Sequence, residues 1–168
     1  KIYACDGNVF LSEFYEAERN IAESLSLHNI TSANIYDEKI IDEEIHNFPF
    51  TLNQDQINAI YSCLTNQFSV ITSLAGCGKS TISKAILRII TSCGGSVILL
   101  APTAKAAKRL TECTGFQSST IHKFLKIRDN SLESYDEVLV PRNTTILIDE
   151  ASMVDVRLFE RVLDNLLL

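Results

Sequence analysis

From Val70 to Thr81 the chain leaves a short β-branched run, Val70-Ile71-Thr72. It passes Gly76 and Gly78 and reaches Lys79-Ser80-Thr81, ahead of a helix-forming stretch from Ile82 to Ile90. This strand–loop–helix order leaves few folds open, because it is how a parallel sheet presents a phosphate-binding loop. Glycine takes positive φ without a Cβ penalty, so Gly76 and Gly78 let the loop turn its N–H groups inward. Those groups and the positive end of the following helix suit a polyphosphate. Gly76, Cys77, Gly78, Lys79, Ser80 and Thr81 are therefore the expected nucleotide-binding residues. Lys79 reaches the β/γ-phosphates as a point charge, and the Ser80 hydroxyl ligates Mg²⁺. One position departs from the pattern G-x-x-x-x-G-K-S/T: Ser73 stands where the first glycine would. The plainer alternative is a Gly-rich turn that only joins a strand to a helix.

The sequence on either side extends the same alternation. Ser69–Ser73 reads as the strand before the loop, and the helix after it runs to about Cys93, where Gly94-Gly95 ends it. Ser96-Val97-Ile98-Leu99-Leu100-Ala101 is a continuous apolar run of strand length, as in a strand buried on both faces. Pro102 stops it, and Thr103 caps a helix from Ala104 to about Cys113. Thr120 to Leu125 starts another short helix, residues 128–143 form a polar surface loop, and Thr144–Ile148 is a third buried strand. A last amphipathic helix runs from about Val154 to Leu168. Strands alternating with helices imply an α/β fold with a mostly parallel sheet, whose ligands sit beyond the C-terminal strand ends. The loop, Pro102-Thr103 and Asp149-Glu150 all fall at such ends.

Upstream, the chain reads as a small helical region over residues 1–50. A short strand or turn surrounds Asp6-Gly7-Asn8. Ser12 caps a helix from Glu13 to about Leu27 whose apolar stripe is Phe14, Ala17, Ile21 and Leu25. Tyr36–Ile45 forms a second, acidic helix, and Phe48-Pro49-Phe50 is a linker. A helix then starts at Asn53, where Asn53 and Gln56 have the spacing of a capping box. Its apolar face is Ile57, Ala59, Ile60, Cys63 and Leu64. Residues 51–168 are expected to form the second, larger domain.

Charge divides the chain the same way. Residues 1–55 carry three basic and eleven acidic side chains, a balance of −8, within an overall charge of −6. Residues 79–128 carry nine basic and one acidic, a balance of +8, and are able to face a polyanion. The plain reading of that segment is solvated helix faces. Five widely spaced cysteines without a C-x-x-C pair argue against a zinc site and a disulfide framework. With no long apolar run and no signal-peptide pattern, the expected setting is cytoplasmic, with no membrane partner.

Asp149-Glu150, delivered by the strand Thr144–Ile148, is the acidic partner that a phosphate loop needs. Asp149 would hold Mg²⁺ and Glu150 would orient or deprotonate the attacking water, which makes Lys79, Asp149 and Glu150 the catalytic candidates. Around this pair the sequence resembles a family. Asp149-Glu150-Ala151-Ser152-Met153-Val154-Asp155 is similar to the second motif of RecD-like superfamily 1 DNA helicases, the exodeoxyribonuclease V alpha subunit (RecD/TraA) family. Ala101-Pro102-Thr103-Ala104-Lys105-Ala106-Ala107-Lys108-Arg109-Leu110 looks like its motif Ia, and Thr120-Ile121-His122 like its next DNA-contacting segment. Leu52-Asn53-x-x-Gln56-x-x-Ala59 looks like its glutamine motif, and Glu13–Ala22 is similar to the helical region before the motor.

The resemblance implies a P-loop NTPase (RecA-like) parallel sheet, incomplete at the C-terminus and preceded by a small helical region. It implies ATP and Mg²⁺ as cofactors and single-stranded DNA as the coupled ligand. A 5′-to-3′ helicase activity in recombination and repair follows, with other subunits of a helicase–nuclease complex as further partners. Gln56 would recognise adenine, with the capping box as its alternative role. Thr103, Lys105, Thr120 and His122 would line the DNA track, with a helix cap, a solvated lysine and a structural histidine as the alternatives. Phe116 and Phe124 are available as stacking platforms, although core packing suits them better. Ala104-Lys105 stands where Gly-Arg is common. In the family fold, the strand following motif II lies between the loop strand and the Asp-Glu strand. The chain is thus expected to lack a central strand, the later motifs and the arginine finger, and to turn over ATP weakly or not at all alone. The competing classes are a P-loop kinase or other phosphotransferase, and a nucleotide-binding fragment without catalysis of its own.

Overall fold

The computed structural model describes residues 2–5, 8–29, 36–74, 78–127, 138–141 and 143–166, without the side chains of residues 5 and 27–29. The chain opens on an antiparallel hairpin of β1 (Ile2–Cys5) and β2 (Asn8–Leu11). The helix α1 (Ser12–Asn29) follows, then α2 (Glu38–His46) and α3 (Gln54–Thr65). The sheet-bearing part comprises α4 (Lys79–Ser92), β3 (Ser96–Ala101), α5 (Ala104–Thr114), β4 (Ser118–Thr120) and α6 (Ile121–Phe124). It continues through β5 (Thr144–Ile148), a 3₁₀ turn at Ala151–Met153 and α7 (Val156–Leu166).

Three strands make a parallel sheet in the order β4-β3-β5, with Leu100 paired to Ser119 on one side and to Ile148 on the other. Successive side chains of β3 point to opposite faces, which is why the strand reads as continuously apolar. Leu99 packs with Leu87 of α4 and Leu110 of α5. Leu100 packs on the other face with Ile121, Leu125, Leu158 and Val162 of the α6 and α7 side. A third cluster lies behind α4, where Ile82, Ala85, Ile86, Ile89 and Ile90 meet Ile41 of α2 and Ile60 and Leu64 of α3.

The N-terminal elements are tied to the sheet-bearing part at two places. α1 packs against α7, with Arg157 bonded to Glu13 at 2.9 Å and Asn20 to Glu160 at 2.7 Å. α2 packs against α4, with Arg88 paired to Glu44 at 3.0 Å. Among the described residues before Phe50, the hairpin precedes two helices, and both α1 and α2 share faces with the larger part.

Three expectations are corrected. Ser69–Ser73 is not a strand: residues 69–74 run as coil, and Val70 and Leu74 are 71% and 81% exposed. A β-branched run becomes a strand only when a neighbour takes its backbone N–H and C=O groups, and among the described residues none does. β5 is half-buried along its whole length rather than buried, because it is the edge of the described sheet. Ser118–Thr120, left out of the strand reading, forms β4, since three residues extended beside β3 suffice to pair with it. The loop read over 128–143 lies largely outside the described residues.

Candidate nucleotide and nucleic-acid sites

The phosphate loop is built between α3 and α4. Asn53 caps α3, and the reciprocal capping box is complete. The Gln56 N–H donates to Asn53 Oδ1 at 2.9 Å, and the Asn53 N–H donates to Gln56 Oε1 at 3.0 Å. That bond fixes the Gln56 amide, whose Nε2 lies against Gly78. A Cβ at Gly78 would come within 2.6 Å of it, and Gly78 holds φ at +86°. Glycine suits the left-handed backbone here, and a Cβ would also displace the end of the Gln56 side chain. Gly76 and Cys77 lie outside the described residues.

α4 starts at Gly78 with no side-chain cap and with no acidic residue in its first turn. The Thr81 N–H donates to the Gly78 carbonyl at 2.9 Å, which leaves the Lys79 and Ser80 N–H groups and the positive end of a 14-residue helix for an external anion. Lys79 donates from Nζ to the Ser73 carbonyl at 3.1 Å, with the Ser73 hydroxyl at 3.4 Å. This explains the departure at Ser73. The position serves through its carbonyl oxygen, and it is not among the residues with positive φ, so a side chain is tolerated there.

Asp149-Glu150 follows β5 directly. The Asp149 N–H donates to the Leu100 carbonyl at 3.0 Å, which carries the β3–β5 ladder one residue further and fixes where the carboxylates emerge. Asp149 Oδ1 accepts the Glu150 N–H at 3.0 Å. Glu150 takes a left-handed backbone, φ +53° and ψ +40°, a conformation that costs a non-glycine residue about 1–3 kcal/mol and turns the chain sharply into Ala151–Met153. Asp155, the last residue of the motif, has a helix-start role: its Oδ1 accepts the Arg157 N–H at 2.9 Å at the head of α7.

Lys79, Ser80, Asp149 and Glu150 line one pocket of about 90 Å³, together with Arg109, Leu110 and Cys113 of α5. The volume is well below the roughly 300–1,000 Å³ of a whole small-molecule site. It suits a phosphate group and a hydrated cation, with the rest of a nucleotide outside. The residues present fit that occupant: two cationic side chains, a hydroxyl and two carboxylates. Thr81 lies half-buried in the first turn of α4. Arg109, Leu110 and Cys113 were not legible as site residues. Ala106, Ala107, Leu110 and Thr114 are the buried stripe of α5, and Arg109 and Cys113 sit one step off it, where periodicity cannot tell pocket from solvent.

A larger groove of about 500 Å³ lies between α5 and β4, lined by Ala104, Lys108, Thr111, Ser119, Thr120 and Lys123 among others. Of the four residues expected on a DNA track, only Thr120 lines it. Thr103 Oγ1 accepts the Ala106 N–H at 3.2 Å, and Thr120 Oγ1 accepts the Lys123 N–H at 3.2 Å, so both act as helix caps. Lys105 and His122 are exposed, which removes the buried structural role for His122. Phe116 and Phe124 pack against the cores on either face of the sheet.

Comparison with known proteins agrees with this layout. The family described as an AAA domain matches residues 51–167. The ATP-dependent DNA helicase dda of Enterobacteria phage T4 is 37% identical over 103 residues, 57% of this chain and 24% of that protein. The ATP-dependent RecD2 DNA helicase of Deinococcus radiodurans is 36% identical over 110 residues, 61% of this chain and 14% of that protein. The RecBCD enzyme subunit RecD of Haemophilus influenzae is 26% identical over 133 residues, 64% of this chain and 21% of that protein. The chain thus spans a quarter or less of the length of these relatives.

Proposed function

This chain belongs to the AAA domain family and is RecD-like within it, and from that premise we propose that it is the ATP-binding part of an ATP-dependent 5′-to-3′ DNA helicase acting in recombination and repair. The observation that carries the reading is the meeting of Lys79 and Ser80 with Asp149 and Glu150 in one pocket. ATP with Mg²⁺ would supply the scissile phosphoanhydride and a bridging charge. Lys79 would exchange the neutral Ser73 carbonyl for phosphate oxygens, which bind an ammonium more strongly. Ser80 and Asp149 would hold the cation, Glu150 would take the proton of the attacking water, Gly78 would offer its backbone N–H, and Thr81, whose N–H donates to the Gly78 carbonyl, would contribute its hydroxyl. Gln56, whose Nε2 lies beside Gly78, would recognise the adenine base in this reading.

Single-stranded DNA is the coupled ligand in this reading. Exposed Lys105 and His122, and the groove with Thr120, Lys108 and Lys123, give a basic, hydroxyl-rich surface at the neighbouring strand ends. Thr103 contributes from the head of α5. Residues 1–50 form the N-terminal helical region and 51–168 the first motor domain, in a cytoplasmic protein whose other partners are subunits of a helicase–nuclease assembly. Among the described residues no helix is long and apolar enough to cross a membrane.

Titration of the chain with a fluorescent ATP analogue and Mg²⁺ tests the site. Lys79→Ala should weaken binding about tenfold to a hundredfold, the loss of hydrogen bonds between charged groups. Glu150→Gln should bind normally and, in the full-length protein, abolish DNA-stimulated hydrolysis. Binding that ignores the Lys79 change would sink the reading.

A further inference from the structure

Arg109 has no assigned work, yet it lines the pocket that holds Lys79, Ser80, Asp149 and Glu150. It is exposed, on a helix whose adjacent Leu110 is 3% exposed and whose Ala106 and Ala107 are buried, so its backbone is fixed while its side chain is free to reach. Among the described residues it has no hydrogen-bond or ion-pair partner, although two carboxylates line the same pocket. Lys105, Lys108, Lys123 and Lys126 are also exposed cations of this segment, but none of them lines this pocket. The four charged side chains that line it are two cations and two carboxylates, and Lys79 is the cation already assigned to the β/γ-phosphates in the reading above. A triphosphate with its divalent cation is still an anion, and its terminal group needs a second cationic donor. A guanidinium offers a planar fork for two phosphate oxygens, which an ammonium cannot match.

We propose that Arg109 is a phosphate-contacting residue of this site: its guanidinium grips two oxygens of the terminal phosphate of a bound nucleoside triphosphate and so separates triphosphate from diphosphate. The inference rests on the nucleotide-site reading given above. It places the sensor of the terminal phosphate on α5, the helix that begins at Thr103 and Lys105, six residues and about 9 Å along the axis from the surface assigned to DNA.

The test uses the 168-residue chain with fluorescent ATP and ADP analogues and Mg²⁺, with circular dichroism to confirm the fold of each variant. Arg109→Ala should weaken the ATP analogue about tenfold and change the ADP analogue less than about twofold. Arg109→Lys should recover only part of the loss, because it restores the charge without the fork. Equal losses for both nucleotides, no loss, or full recovery by lysine would overturn the proposal while leaving the site intact. Failure of the unaltered chain to bind either analogue, or indifference to Lys79→Ala, would instead overturn the site reading and this inference with it.

Discussion

The two segments that lead into the candidate sites have similar sequences and different fates. Ser96–Ala101 and Ser69–Ser73 are both short, β-branched or aliphatic, and followed by a loop and a helix. The first is a central strand with neighbours on both edges and Leu100 fully buried. The second finds no partner strand among the described residues, with Val70 and the adjoining Leu74 open to solvent, although Ile71 still packs on the α2–α3–α4 cluster. Strand propensity is a fit to a pleated, half-buried surface, so it is expressed only where that surface is supplied. The described ends of the loop, Ser73 and Gly78, are held without a paired strand. The Gln56 amide and the Lys79–Ser73 bond hold them from the helix side.

Changes on the two sides should therefore differ in cost. Leu100→Ala removes a side chain packed between α6, α7 and the sheet, and should lower the unfolding free energy in urea by about 2–5 kcal/mol. A loss below about 1 kcal/mol would mean that β3 is not the centre of the fold in solution.

The α2–α3–α4 cluster behind the loop offers an intermediate test. Burial, followed by the hydrogen bond to and the charge of Asp42, pushes the Tyr61 hydroxyl up from 10.0 to about 12. A group that holds its proton more tightly when folded adds stability below its unfolded pKa and loses it as pH rises through its folded one. Stability should thus decline between pH 10.0 and about 12. In Tyr61→Phe that decline should be shallower, with about 1 kcal/mol lost at neutral pH, a low value because the pair is partly open to water. An unchanged alkaline limb would show that α2 and α3 are not tied through this bond.

The smallest effect belongs to the exposed lead-in. Leu74→Ser should change stability by no more than about 0.5 kcal/mol in the same urea titration, as for a side chain without packing partners. A loss above about 1 kcal/mol would mean that residues 69–74 are paired in solution, which would erase the contrast.

The candidate site was legible where its chemistry is local. Lys79, Ser80 and the Asp149-Glu150 pair stand out by type and order, and the Asn53–Gln56 box by spacing, because caps and loops are set by residues three or four apart. Thr103 reads both as a cap and as a nucleic-acid contact, Thr120 as a contact alone, and capping is the role that the hydrogen bonds of both display. The groove beside β4 and the approach of Arg109 to the loop were not legible, since each brings together elements far apart in the chain.

By itself, then, the sequence determined the helices, the caps, the strands at Ser96–Ala101 and Thr144–Ile148, and the residue types of a phosphate site. Those depend on periodicity and nearest-neighbour hydrogen bonds. Only the tertiary structure decided that Ser69–Ser73 finds no partner among the described residues, that β5 is the edge of the described sheet, that Ser73 serves through its carbonyl, and that Arg109 lines the pocket of Lys79 and Ser80. Each of those depends on which distant backbone or side chain arrives to meet it, and that information is carried by packing rather than by local spacing.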